Sequence, residues 1–195
     1  MKTVLVAGVS PGVGPALVLN GLNIYWQRHR ENERMDTLSI PALTPTALED
    51  GADADLATLW RSLCQTRQET DLLCVGSDGN LASPITRDTT LATLAKEWRL
   101  PVLLVVPIEW GAIAPAVATI ALAREAKVTL AGVILHQHRP QADITAEAMA
   151  DVLKSLTHTS ILGTIPYLDD PSDEHKLANL ISSLMLDVLI DQLEV

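Results

Sequence analysis

Phenylalanine is absent from the 195 residues, and aromatic residues of all kinds make up 3% of them. A core built from this chain must rest on aliphatic side chains and alanine. Basic residues are scarce as well: 14 Lys and Arg stand against 24 Asp and Glu, a net charge of −10. So acidic a chain repels polyanions, which argues against nucleic acid or an anionic membrane as partner, while leaving room for a small local anion site. No apolar run approaches the roughly 18 residues that would span a bilayer, and the N-terminal run from Thr3 to Gly8 is too short for a secretory signal. Cysteine is limited to Cys64 and Cys74, in apolar settings without metal-ligand spacing. Two buried thiols in a reducing compartment, and so a cytoplasmic protein, are expected.

What is present is apolar and regularly patterned. Hydrophobic residues make up 48% and charged residues 19%, which excludes disorder and suits a layered core. One domain over residues 1–195 is expected, with no internal repeat and no linker. Short β-branched runs alternate with helix-patterned segments, the mark of a parallel α/β sheet. Strands are predicted at 3–7, 71–75, 101–106, 128–135 and 160–163, with a weaker one at Leu38-Ser-Ile40. Helices are predicted at 14–30, 53–63 (Leu56, Leu59, Trp60 and Leu63 inward), 89–98, 112–126, 145–156 and 173–193. Residues 31–52 read otherwise as polar and Pro-broken, and 164–168 as a loop. The last helix carries Leu177, Leu180, Ile181, Leu184 and Val188 on one stripe, with Met185, Leu186, Leu189 and Leu193 beside it. That arc is wider than a one-sided surface helix needs, so its second stripe is expected either against a second copy of the chain, making a homodimer, or deeper within one chain.

Between the first strand and first helix lies Gly8-Val-Ser-Pro-Gly-Val-Gly14. Glycines in such a loop let backbone amides point at phosphate, and the following helix dipole favours an anion. The candidate cradle is Gly8, Ser10, Gly12, Val13, Gly14 and Ala16. A working loop of this kind continues Gly-Lys-Ser/Thr, the lysine reaching the β- and γ-phosphates and the hydroxyl holding Mg²⁺. Here Pro15 and Ala16 follow Gly14. Proline suits the first helical position but has no N–H, and Pro11 removes a second donor within the loop. Each charge-assisted hydrogen bond lost is worth roughly 1.5–3 kcal/mol, and several such losses would take a micromolar nucleotide site to millimolar or weaker. The lysines are Lys2, Lys96, Lys127, Lys154 and Lys176, so none falls between residues 3 and 95. Arg28, Arg30, Arg34, Arg61, Arg67 and Arg87 read as solvated charges.

The ordered set of motifs resembles dethiobiotin synthetase and its relatives, the P-loop family that also supplies the N-terminal domain of some bacterial phosphotransacetylases. The stretches that carry the resemblance are Val6-Ala-Gly8 with Gly12-Val-Gly14, Asp71 to Ile85, Leu100 to Val106, Gly111-Ala-Ile113, Ala131 to Leu135 and Leu162 to Leu168. Residues 31–70 have no clear counterpart. The resemblance implies a three-layer P-loop NTPase-like fold, a mostly parallel sheet with helices on both faces. It also implies an ATP- and Mg²⁺-driven closure of a ureido ring on a diamino acid. Carried over by position, the family's phosphate lysine falls on Pro15, its Mg²⁺ hydroxyl on Ala16, a loop Asp on Ser10 and a metal-ligating Glu on Gly76. An Asn that helps recognise adenine falls on His136, and no Lys-Pro pair follows the first helix.

Framework kept and chemistry lost point to a catalytically impaired protein with a binding or regulatory role, needing no cofactor and taking a small anion or a protein partner. Two other readings stand beside it: an active ATP-dependent synthetase of biotin biosynthesis with relocated residues, or an accessory subunit of a P-loop enzyme that supplies the missing groups. Asp78 and Asn80, in the loop Gly76-Ser-Asp-Gly-Asn80, stand where open α/β sheets place ligands, although Asp-Gly also suits a plain turn. His136 and His138 form a possible metal pair but read more simply as exposed loop histidines. Ser10 has no histidine nearby to activate it as a nucleophile. Asp169, Asp170, Asp173 and Glu174 read as loop and helix N-terminal charge.

Overall fold

The computed structural model describes residues 2–193 apart from 11, 31, 52 and 78. Six strands form one sheet: β1 Lys2–Gly8, β2 Met35–Ile40, β3 Leu72–Ser77, β4 Val102–Pro107, β5 Leu130–His136 and β6 Ile161–Ile165. Their order is β2-β3-β1-β4-β5-β6, and every pairing is parallel. The helices are α1 Pro15–His29, α2 Pro45–Asp50, α3 Leu56–Glu69, α4 Leu91–Glu97, α5 Ile113–Glu125, α6 Ala146–Thr157, α7 Glu174–Ser182 and α8 Leu186–Gln192.

Strand alternation sets the layers. Val4 and Val6 face α1, α7 and α8, where Val18, Leu22, Trp26, Leu177 and Ile181 close the first core. Leu5 and Ala7 face the other side, covered by Leu63 of α3 and by Leu91 and Leu94 of α4. A third cluster continues that side under α5 and α6, with Ala116, Ile120, Met149 and Leu153 over Leu104, Val106, Val133 and Leu135. The expected three-layer arrangement is therefore present, and its core is aliphatic as the absence of Phe requires. Five helices start at an N-cap oxygen accepting an amide proton: Thr44 from Ala47, Asp55 from Thr58, Thr90 from Thr93, Thr145 from Ala148 and Asp173 from Lys176.

Several expectations change. The weak strand at Leu38–Ile40 is a full edge strand paired along β3 from Met35 to Ile40. The Pro-broken stretch before residue 52 holds the short helix α2, started by the Thr44 cap and ended by Gly51 in the left-handed region. Trp60 is not inward but 40% exposed, its ring tilted against that of Trp98 at 5.3 Å, and the helix carrying it runs on to Glu69. Cys74 is buried, its thiol pushed up to about 12 by burial, whereas Cys64 is only partly covered. β6 extends through Thr164 and Ile165, beyond the strand predicted at 160–163.

The helix predicted at 173–193 is two helices. At the break Leu184 turns into the sheet and the Met185 N–H donates to the Leu162 carbonyl at 2.8 Å. The change of direction buries Leu177 and Ile181 from α7 together with Leu184, Leu186, Leu189 and Leu193. The second stripe is thus covered within one chain, apart from the exposed Met185.

The seat for Leu184 is Gly163. β6 pairs with β5 through a register shift, Val133 opposite Ile161 and Ile134 opposite Gly163, and Gly163 has φ +146°, in the region that favours glycine. A Cβ at Gly163 would lie 2.7 Å from Leu184 Cδ2. Gly163→Ala should therefore cost about 1–3 kcal/mol in urea unfolding, and Leu184→Ala about 2–5 kcal/mol. Combined, the two should cost less than their sum by at least ~0.5 kcal/mol, because the small side chain removes the clash. Strict additivity would show that Gly163 and Leu184 do not share one seat.

Candidate functional site

The C-terminal ends of β1, β3, β4 and β5 carry the loops that matter here, as expected for an open parallel sheet. From Gly8 the chain passes through buried Val9, whose N–H donates to Val105 O at 3.2 Å, and reaches exposed Gly12 and buried Val13. Gly14 then takes φ +108°, and α1 starts at Pro15 with no side-chain cap and no acidic residue in its first turn. Pro15 therefore stands at the first helical position, as its chemistry favours, and Ala16 is exposed. Ser10 is partly covered. Pro11 and Asp78 lie outside the described residues.

Beside Pro15 and Ala16 is a cavity of ≈ 330 Å³ between α1 and the ends of β2 and β3. Leu19 and Leu38 give it apolar walls, while Asn20, Asn23, Thr37, Ser39 and Ser77 supply amides and hydroxyls. None of the described residues lining it is charged. Sequence reasoning missed this polar set, because the β2 residues show no motif and become neighbours of α1 only through the β2–β3 register, Ser39 opposite Gly76.

The arginines between residues 28 and 87 lie or bond away from Pro15 and Ala16. Arg28 pairs with Glu174 at 3.0 Å and Arg30 with Glu33 at 2.9 Å. Arg67 Nε donates to Thr3 Oγ1 at 2.7 Å, and Arg87 Nη2 to the Leu48 carbonyl at 2.7 Å. Arg61 reaches Thr58 at 3.5 Å, and Arg34 stands exposed before β2, away from the strand ends that form the cavity. Gly76, at the position of the family's metal-ligating Glu, is occupied from outside: a Cβ there would meet Leu19 Cδ1 at 2.4 Å. A glutamate at 76 would have to displace Leu19 first.

Two other candidates are brought to this edge with structural duties. Asn80 Oδ1 accepts from the Ala82 N–H at 2.8 Å, and its Nδ2 donates to the Val9 carbonyl at 3.4 Å, tying the two loops together. His136 is not an exposed loop histidine. It ends β5, is 7% exposed, and its Nδ1 is 2.9 Å from the Val13 carbonyl. That carbonyl can only accept, so Nδ1 carries the proton. The ring also fills the space above Gly14, where a Cβ would lie 2.3 Å from Nδ1. His138 is partly covered, its ring 6.3 Å from that of His136 between centroids and its Nε2 3.9 Å from Glu109. With Nδ1 of His136 committed to Val13, Nε2 is that ring's free ligand atom, and the described residues include no cluster of three metal-ligating side chains.

Burial lowers the His136 pKa, the Val13 hydrogen bond opposes that shift, and His138 adds to it. The imidazole is therefore neutral at pH 7. Its unfolded-state value is near 6.5. Below that value the unfolded chain binds the proton more readily than the folded one, so stability should fall as pH drops from about 6.5 toward the lower folded value. In His136→Asn, whose amide N–H can still reach Val13, this part of the decline should vanish from unfolding midpoints measured between about pH 7 and 5. An unchanged slope would show that His136 titrates as an exposed imidazole.

Comparison with known proteins bears on the whole chain. A family model described as an AAA domain matches residues 28–175. The ATP-dependent dethiobiotin synthetase of Crocosphaera subtropica is 34% identical, the alignment covering 97% of this chain and 100% of the relative. The enzyme of the same name from Gloeothece citriformis is 30% identical over 97% and 99%. Among solved structures, a ParA family ATPase from Chlorobium tepidum TLS superposes with TM-score 0.61 at 11% identity, covering 99% of this chain and 98% of that one. The MinC:MinD cell division complex of Aquifex aeolicus gives 0.57 at 15%, with 98% and 95% covered. Those two likenesses concern the fold. By the near-complete alignment with synthetases at 30% identity and above, and by the parallel sheet with a glycine loop after its first strand, the chain belongs to the dethiobiotin synthetase family of P-loop NTPases.

Proposed function

We propose that this member of the family binds a small ligand in the cleft beside α1 without carrying out ATP-driven ring closure. The observation that supports this most is the cavity at Pro15 and Ala16, whose described lining residues carry no charge. A triphosphate bearing about four negative charges needs cationic donors and a metal-holding hydroxyl, because backbone dipoles alone do not offset the loss of its hydration. Pro15 provides neither charge nor N–H, Ala16 has no hydroxyl, and Leu19 packs over Gly76. Hydroxyls and amides on apolar walls instead suit an uncharged or zwitterionic molecule of modest size. Such a protein would act by sequestering or sensing its ligand.

A second reading is favoured by a different observation. The relatives aligned over nearly the entire chain are named ATP-dependent dethiobiotin synthetases, which supports an active enzyme whose phosphate and metal ligands have moved to other residues. Under that reading ATP and Mg²⁺ would bind at the loop of Gly8, Gly12 and Gly14, or a P-loop partner would supply the missing groups. The residues at the loop do not fit that role on their own.

The two readings part in a direct assay. Under the first, purified protein should show no ATP hydrolysis dependent on the diamino acid, and its expression should not restore growth of a biotin auxotroph lacking the synthetase. Turnover within about a hundredfold of an ordinary enzyme rate of 1–10³ s⁻¹, or rescue of growth, would establish the active reading instead.

A further inference from the structure

Among the described residues, those other than glycine with positive φ are Arg99 (52°), Lys127 (58°) and His158 (50°). All three carry basic side chains, and all three lie at the edge of the sheet opposite the phosphate loop, following α4, α5 and α6. After α4, the Arg99 N–H donates to Lys96 O and the Leu100 N–H to Ala95 O. After α5, the Lys127 N–H donates to Arg124 O and the Val128 N–H to Ala123 O. These are the paired bonds of a helix ended by one left-handed residue, the position glycine takes without strain. Arginine and lysine take it at a cost of about 1 kcal/mol or more each.

Compensation of the helix dipole accounts for basic charge in the last turn, but not for placing it on the left-handed residue itself. Nor are these side chains needed to satisfy the helix-end carbonyls, since the backbone amides already do so. Among the described residues, Lys96, Arg99 and Lys127 form no ion pair, whereas Arg124 donates to Thr157 O and to Thr159 Oγ1.

Two cavities meet here, sharing Val128 and Gln192. One, of ≈ 330 Å³, is lined by Lys96, Arg99 and Lys127. The other, of ≈ 260 Å³, is lined by Arg124 and His158. Among the described residues, neither lining includes an Asp or Glu, in a chain of net charge −10. Leu100, Pro101 and Leu130 give apolar floor between the cationic groups.

We propose that this groove is a second binding site, at the opposite edge of the sheet from the phosphate loop, for a small organic dianion whose carboxylate or phosphate groups are joined by an apolar stem. Arg99 and Lys127 hold one anionic end, and Arg124 and His158 face the other across Val128. The site is independent of what occupies the cleft at α1.

Nonanedioate and inorganic pyrophosphate serve as probes, titrated separately into the full-length protein at constant ionic strength and followed by backbone amide NMR shifts. Saturable shifts confined to residues 95–101, 124–131 and 158–160 are expected with at least one probe, and the probe that binds tells carboxylate from phosphate recognition. Asparagine tolerates left-handed backbone, so Arg99→Asn with Lys127→Asn removes charge while keeping both helix ends. This pair should weaken binding at least about tenfold, the equivalent of one charge-assisted hydrogen bond. Lys96→Gln, which leaves the helix ends untouched, should weaken it about threefold. Arg61→Gln with Lys176→Gln, an equal charge change elsewhere, should leave it unchanged. No saturable shift with either probe, or equal losses in the groove and control variants, would overturn the proposal.

Discussion

The geometry of the candidate site depends on how the chain turns from β1 into α1. Gly14 takes a left-handed conformation, Pro15 fixes the first helical φ, and His136 reaches across from β5 to hold the Val13 carbonyl. In a nucleotide-binding protein the corresponding turn is completed by phosphate oxygens, with a lysine and a hydroxyl beside them. Here the turn is completed by the protein: a neutral imidazole closes over the glycine, and a leucine closes over Gly76.

Family membership and site chemistry consequently point in different directions. Identity of 34% across the full length of a named synthetase places the chain in that family. A shared fold does not carry a shared reaction, however; the reaction depends on particular groups at particular atoms. Five arginines hydrogen-bond or pair elsewhere, and the described residues of the cavity beside the loop offer hydroxyls and amides but no charge. Four basic side chains, Lys96, Arg99, Arg124 and Lys127, line two adjoining cavities at the other end of the sheet, and Arg99 and Lys127 stand where glycine would be the strain-free choice.

Most of the scaffold was legible from the residues. Buried strands such as Val4 to Ala7 and Leu103 to Val106 announce themselves by continuous β-branched and aliphatic runs, and Thr145 and Asp173 mark helix starts. The break between α7 and α8 was not legible, because no proline or glycine marks residues 183–185. The helix ends there because Leu162 takes the Met185 N–H and Gly163 makes room for Leu184, both contacts with a distant strand. His136 was misread for the same reason: its partner, Val13, lies 123 residues away. That Pro15 and Ala16 follow Gly14 was plain from the sequence. The cavity lined by Thr37 and Ser39 depended on the register of an edge strand whose residues carry no motif.

Calorimetric titration of the full-length protein with Mg-ATP tests the central claim most directly. With the clamp lysine and hydroxyl absent and the turn already closed by His136, no saturable heat should develop below about 1 mM nucleotide, corresponding to binding no tighter than roughly −4 kcal/mol. A stoichiometric isotherm with a dissociation constant in the micromolar range would contradict the account and show that the loop of Gly8 to Ala16 still holds a triphosphate.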